Sequence, residues 1–319
     1  MEKRIDAIDY YRGLAIILMV PANYLFNVTT APAWLKHAPD IGLTVIDLIA
    51  PFFVFAMALT YLPSYRRRVE RDGRAKAWGH FLRRWLALIG IGAIISAGEV
   101  LVGENTTQIS WGVLQAWGVA GIVTLLCLEL PMVWRAVVGL VLIGVYQVML
   151  DSYWLTTVLN SEHGGILGAI DWSALMVLST VVCEPWQRKP SDEWRVALPS
   201  AIALVAGIAL SFVAPISKNR VSGSYVLVSL GASGILFAIF LVLVQRLKMR
   251  SRFLGWWGAN PLLLYILHYL LLALFVLPDV PWWLAQAPVG LVLAQIAFLL
   301  GVLAVIAWLL ARRGTRLSL

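Results

Sequence analysis

Cysteine, histidine and charge are all scarce in this chain of 319 residues: it has 2 Cys, 4 His and 13% charged residues. Two cysteines cannot build a disulfide framework or a thiolate metal site. Cys127 and Cys183 fall in or beside apolar runs and read as small apolar side chains, and no metal site is expected. A soluble domain carries about 25% charged and about 45–50% apolar residues. Here 61% of the chain is hydrophobic, which excludes a soluble globule. An aromatic–basic nucleic-acid module, internal repeats and low-complexity stretches are also missing, and no linker is long enough to separate a second domain. Residues 1–319 therefore read as one unit.

What is present is a succession of apolar runs about as long as a bilayer core is thick, each needing roughly 20 residues to cross. Ten helical spans are expected, at about 11–27, 42–62, 84–103, 112–130, 134–151, 166–184, 196–214, 224–245, 256–276 and 288–311. The fold class is all-α, a polytopic membrane bundle. The breaks between spans alternate between arginine-rich and arginine-poor. With ten spans, 22 of the 25 Lys and Arg fall on one side, and only Lys36, Lys218 and Arg220 fall on the other. The positive-inside bias makes the rich side cytoplasmic, with both termini there. The net charge of +8 is then a topology signal rather than a nucleic-acid footprint. Asp6 and Asp9, and the polar stretch before Ala31-Pro32-Ala33, argue against a cleaved leader. Tryptophans near span ends, such as Trp34, Trp111, Trp282 and Trp283, fit interfacial belts beside membrane lipids.

Polar groups in or beside spans are costly and mark function. Asn23 at the outer end of the first span, His37 in the first outer loop, Asp47 in the second span and His268 in the ninth share the outer side. Lys218, Asn219 and Tyr225 join them from the loop that enters the eighth and are expected to contact the substrate. Each also has a plainer reading. Asn23 and Asp47 fit helix-end or interhelical hydrogen bonds, His268 a satisfied bundle histidine, and His37 an ordinary loop residue. His80 and His163 read as structural or solvated, and Asp9 with Arg12 as a local ion pair. A neutral imidazole can take a proton from an attacking amine or hydroxyl while a carboxylate sets its tautomer. An amide can donate to an oxyanion. Arginines on the inner rim (Arg12, Arg83, Arg84, Arg250, Arg252) suit phosphate groups. The layout fits group transfer from an anionic cytoplasmic donor to an acceptor outside. It equally fits a proton-coupled transporter or flippase, or a non-catalytic scaffold.

Six ordered blocks narrow this choice. They are AIDYYRGLAIILMVPANY (7–24), LKHAPDIGLTVIDLIAPFFVFAMALT (35–60), GVLQAWGVA (112–120), GGILGAID (164–171), PISKNRVSGSYVL (215–227) and GANPLLLYILHY (258–269). Their order and spacing resemble the heparan-α-glucosaminide N-acetyltransferase family of membrane acetyltransferases. The resemblance implies transfer of acetyl from cytoplasmic acetyl-CoA to a glucosamine amine on the extracytoplasmic side. It matches His37 to the active-site histidine, Asn23 to the asparagine beside it, Asp47 to a second-helix aspartate and His268 to a recurrent helix histidine. Partners implied are acetyl-CoA, a glycan or amino-sugar acceptor, lipids and optionally a second copy as a homodimer. Departures cluster on the acceptor side. No aromatic follows His37-Ala38-Pro39-Asp40, a Trp-Thr pair is replaced by Val221-Ser222, and Arg220 stands for an apolar residue. The outer loops are short, and the compact form implies a bacterial inner-membrane member. Direct transfer and an acetyl-imidazole on His37 both remain open, as does the acceptor.

Overall fold

The computed structural model describes residues 6–101 and 110–315. Among these residues every regular element is helical. The helices are α1 (Asp6–Phe26), α2 (Ile49–Asp72), α3 (Arg74–Leu101), α4 (Val113–Cys127), α5 (Met132–Met149), α6 (Leu155–Leu159) and α7 (Gly165–Arg188). They continue with α8 (Trp194–Leu210), α9 (Gly223–Gln245), α10 (Arg252–Ala259), α11 (Pro261–Val276) and α12 (Val289–Arg312). Each of the ten expected segments corresponds to a helix or a helix pair.

Length and composition support six crossings among the described residues, or seven if the bent α10–α11 pair counts as one. Helices α4 and α8, of 15 and 17 residues, are apolar but shorter. Helix α1 has 21 residues but carries Asp6, Asp9, Arg12 and Asn23, and it is not among the six.

Two expected spans are reshaped. The segment expected to be helical from residue 42 is instead a loop closing in a 3₁₀ turn, Ile46–Leu48, and α2 begins only at Ile49. Asp47 therefore stands on that turn ahead of the helix, not in its second turn. The ninth span is broken by 83° at Asn260. Asn260 sits at φ −136°, ψ 56°, and Pro261 opens α11. The proline ring disfavours α geometry in the residue before it, so the helix stops there and restarts. The Asn260 side-chain amide donates to the Thr315 carbonyl at 3.1 Å and ties the break to the end of α12.

Burial orders the bundle. Across the most apolar stretch of α7, 78% of residues are buried, against 22% for α12, which places α7 centrally and α12 at the rim. Leu140 and Val148 of α5, Ile202 and Val205 of α8, and Leu293 and Phe298 of α12 point outward, as lipid-facing residues do.

One end gathers most of the arginines and their partners. Arg135, at the start of the span expected over 134–151, is fully buried in the first turn of α5. It pairs with Glu184 of α7 and donates to Thr180 Oγ1 at 2.7 Å. Burying a lone guanidinium is expensive, so this cation is tolerated only with its carboxylate. Arg66 (3.0 Å) and Arg188 (2.9 Å) reach the other Glu184 oxygen, and Arg246 pairs with Glu193 at the same end. The opposite end joins residues 27–48 to the 215–222 loop and to residues 285–287. Thr29 N donates to the Ala285 carbonyl at 2.8 Å, and Gly42 N to the Ile216 carbonyl at 2.8 Å.

Helices α1 and α10 meet almost backbone to backbone. A Cβ at Gly258 would lie 1.9 Å from the Asp9 carbonyl oxygen, and one at Gly13 would lie 2.3 Å from that of Leu254. Neither carbonyl can move aside without shifting a helix. Gly258→Ala is therefore expected to cost about 1–3 kcal/mol, the usual range for overpacking. Gly301→Ala, in open space on α12, is expected to be neutral. Thermal unfolding of the purified variants in detergent checks this; equal melting points for the two would contradict it.

Candidate active site

The 3₁₀ turn that displaces Asp47 from α2 also holds it. Asp47 is fully buried, and its Oδ2 accepts from Thr44 N (2.8 Å) and Ala38 N (3.3 Å); the single hydrogen of the Thr44 hydroxyl is shared between Oδ2 (3.1 Å) and the Lys36 carbonyl (2.8 Å). The Tyr225 hydroxyl donates to the Asp47 backbone carbonyl at 2.7 Å. Oδ1 is left for His37 Nδ1 at 2.7 Å. A carboxylate only accepts, so Nδ1 carries the hydrogen and Nε2 keeps its lone pair. The His37 side chain is 30% exposed while Asp47 is sealed, so the ring has a protected back and an open front. Burial chiefly, and the charge of Lys218 in addition, push the His37 pKa below its ordinary 6.5, against the opposing pull of Asp47. The ring is therefore neutral near pH 7, as a base must be.

Lys218 is buried beside this pair. Burial lowers its pKa to about 8, while Asp47 and Glu162 hold it up. Its neighbour Asn219 donates from its side-chain amide to the Pro39 carbonyl. Arg220 clamps the same loop through Asp40, with Nε–Oδ1 at 2.9 Å, and keeps the Asp40 carboxyl below the usual carboxylate range. These two residues are among the departures noted in the sequence, and they answer each other across the gap. Opposite charges in two otherwise atypical loops were the available signal.

A second polar pair lies between α1 and α11. Asn23 Nδ2 is 2.8 Å from His268 Nε2, and His268 Nδ1 meets the Tyr265 carbonyl. The carbonyl requires Nδ1–H, so Nε2 accepts from the Asn23 amide. Asn23 was expected beside His37; its partner in the structure is His268. An amide nitrogen has two hydrogens, so one N–H of Asn23 is left to donate elsewhere.

Other expectations change place. Tyr225, expected to touch substrate, is fully buried and supports Asp47 instead. Of the five arginines expected to hold phosphates, Arg250 and Arg252 line a cavity of about 470 Å³ at the arginine-rich end, together with Asp6, Asp9, Tyr10 and Trp256. Arg12 donates to Thr60 Oγ1 at 2.8 Å and to the Ala56 carbonyl at 3.3 Å. Arg83 bonds the Gly79 carbonyl at 3.0 Å, and Arg84 lies over the Trp85 ring at 5.3 Å. The cavity is of ligand size. Its two guanidiniums and the capped amino end of α10, where Ser251 Oγ accepts from Leu254 N, suit a phosphorylated group. Asp6 and Asp9 offset part of that charge. Among the described residues, no group of three or more His, Cys, Asp or Glu is placed to hold a metal ion.

His163, read as solvated or structural, has its Nδ1 buried without a hydrogen-bond partner among the described residues, and its carbonyl accepts from Trp172 Nε1 at 3.2 Å. Its backbone is left-handed, at φ 52°, ψ 27°. No periodicity in the sequence announces such a turn.

Comparison with known proteins bears on this arrangement. The chain is 36% identical over 124 residues to the heparan-alpha-glucosaminide N-acetyltransferase of Mus musculus, and 36% identical over 127 residues to that of Homo sapiens. The matched stretches cover 36% and 37% of this chain and 18% of each relative. A family model described as "Heparan-alpha-glucosaminide N-acetyltransferase, catalytic" matches residues 4–221. That range holds Asn23, His37, Asp47 and Lys218, and ends before Tyr225 and His268. Because the match spans more than half of the chain and includes the buried aspartate–histidine pair, the chain belongs to the heparan-α-glucosaminide N-acetyltransferase catalytic family.

Proposed function

We propose that this chain is a membrane acetyltransferase that moves acetyl from cytoplasmic acetyl-CoA to the amine of an amino sugar outside. The reading rests above all on one observation, His37 Nδ1 bonded at 2.7 Å to a fully buried Asp47 with Nε2 left as acceptor. His37 Nε2 takes the proton as the acceptor nitrogen attacks the thioester carbonyl. The carbon–nitrogen bond forms, the carbon–sulfur bond breaks and coenzyme A leaves. The free N–H of Asn23 supports the developing oxyanion, and His268 fixes that amide. Lys218 and Asn219 face the acceptor.

Arg250 and Arg252 hold the coenzyme's phosphates at the opposite end. Its flexible arm threads between helices toward Asn23 and His268. In this reading ten helical segments cross, with the shorter α4 and α8 accommodated by local thinning. Both termini are cytoplasmic, and the membrane is a bacterial inner membrane. The 83° break between α10 and α11 supports a second reading. Transporters build sites at interrupted helices, so a glycan carrier on the same scaffold would use this break. Acceptor uptake into proteoliposomes without consumption of acetyl-CoA would favour it.

A general base contributes about 10²–10⁴-fold. His37→Ala is expected to lower turnover with acetyl-CoA and glucosamine by that factor while leaving coenzyme A binding within about twofold. Release of free thiol and calorimetry on the purified protein check the two parts. More than about a tenth of wild-type turnover would remove His37 from this role.

The pH profile follows from the direction of the His37 shift. Its pKa is lowered, so activity should be full at neutral pH and fall as pH drops through a value under 6.5. Lys218 contributes to that lowering. Lys218→Met should therefore move the acid limb to higher pH, and a profile unmoved or moved downward would contradict the arrangement.

A further inference from the structure

Helix α3 lies at the rim of the bundle, with only 28% of the residues in its most apolar stretch buried. Its inner stripe is Ala77, Phe81, Trp85 and Leu88, all buried and spaced at i, i+4, i+8 and i+11. The opposite stripe faces away from the protein and changes character along its length. Leu86, 51% exposed, and Ile94, 74% exposed, make one part of it lipid-facing. One turn before Leu86 the stripe turns basic, running back through Arg83 and Gly79 to Lys76, with both cations exposed. Length sets the depth of that change. The 28 residues of α3 extend about 42 Å at 1.5 Å each, more than the roughly 30 Å of a bilayer core. With Leu101 at the far boundary, about 20 residues of crossing bring the helix out of the hydrocarbon near Arg83.

The carboxylates at this end are taken by other cations. Asp72 pairs with Arg68 at 3.3 Å and Arg71 at 2.8 Å, Glu129 with Arg74, and Glu184 with Arg66, Arg135 and Arg188. Lys76 feels the charge of Asp72, but both oxygens of that carboxylate already accept from the two arginines. Glu70 is exposed and forms no ion pair among the described residues. Arg83 uses only its Nε, on the Gly79 carbonyl at 3.0 Å, which lays the side chain back along the helix toward Lys76. Neither Arg83 nor Lys76 meets a carboxylate among the described residues. Between them, a Cβ at Gly79 would find no atom within 4 Å, so the space beside the two cations is open.

We infer that the Lys76–Gly79–Arg83 face of α3 binds the phosphate of an anionic phospholipid, whose acyl chains lie along Leu86 and Ile94. The outer N–H groups of Arg83 donate to the phosphate oxygens, and Lys76 adds a second positive charge beyond Gly79. Continuity with the lipid-facing stripe selects a lipid over a soluble phosphate, because head and tails are met by one helix face. Arg83, expected among the groups that hold coenzyme phosphates, stands on the lipid side of α3 and does not line the cavity of Arg250 and Arg252. The contact uses no group of the transfer chemistry, so it stands or falls apart from acetyl transfer.

The test titrates the full chain in detergent with phosphatidylglycerol or phosphatidylcholine and reads the affinity of the first bound lipid by native mass spectrometry. Each cation near a membrane surface contributes about fivefold, so wild type should favour phosphatidylglycerol by about tenfold or more. The double variant Lys76→Gln/Arg83→Gln should lower that preference at least about fivefold. Lys189→Gln/Arg195→Gln removes the same charge at the same end from two cations that pair with Asp192. That control should stay within about twofold of wild type, and excess coenzyme A should leave the lipid bound. An equal loss in both double variants would reduce the preference to overall charge and overturn the inference. So would an unchanged preference in Lys76→Gln/Arg83→Gln. Displacement of phosphatidylglycerol by coenzyme A would return these cations to the acetyl donor and overturn it as well.

Discussion

The half of the structure that holds the candidate site depends on burying one carboxylate. A sealed Asp47 is tolerated because each of its oxygens is used, Oδ2 by the backbone N–H groups of Thr44 and Ala38 and Oδ1 by His37. Charge-assisted bonds of this kind offset the loss of water only when all are made at once. The 3₁₀ turn, the preceding loop, Thr44 and the Tyr225 hydroxyl are therefore a single device. It costs α2 its first turns and gives a histidine with one fixed tautomer, a sealed back and an open front. Lys218, also buried, adds to burial in lowering the His37 pKa and so favours the neutral ring.

The same logic operates at the other end, with the opposite outcome. Glu184 gathers Arg135, Arg66 and Arg188, which fastens α2, α5 and α7 without leaving a free base. Between the two ends, small residues let α1 approach α10 closely enough that Gly258 touches the Asp9 carbonyl.

Much of this was legible in the sequence. The apolar runs located every long helix, because span length is imposed by the bilayer and not by subtle packing. The ordered motifs located His37, Asp47, Asn23 and His268. The alternation of arginine-rich and arginine-poor loops is mirrored in the way Arg66, Arg188 and Arg246 gather at one end while Lys218 and Arg220 lie at the other. What the sequence did not disclose depends on tertiary partners. Hydropathy treats 42–48 as helix because Leu43, Val45 and Ile46 are apolar; the 3₁₀ turn wins because it satisfies Asp47. The 256–276 run reads as one span although Asn260-Pro261 lies within it, and a proline signal weighed more heavily would have found the break. The burial of Arg135 had no local signal because its partner Glu184 lies 49 residues away. The pairing of Asn23 with His268, 245 residues apart, has no local signature at all.

The central claim is that His37 and Asp47 act as one unit on the acceptor's proton. A double-mutant cycle on kcat/KM, with His37→Ala, Asp47→Asn and both together, measures this most directly. If the pair is one device, each single change is severe and the double variant is no slower than His37→Ala alone. Multiplied losses in the double variant would mean that the two residues act separately, and the account built on their hydrogen bond would be wrong.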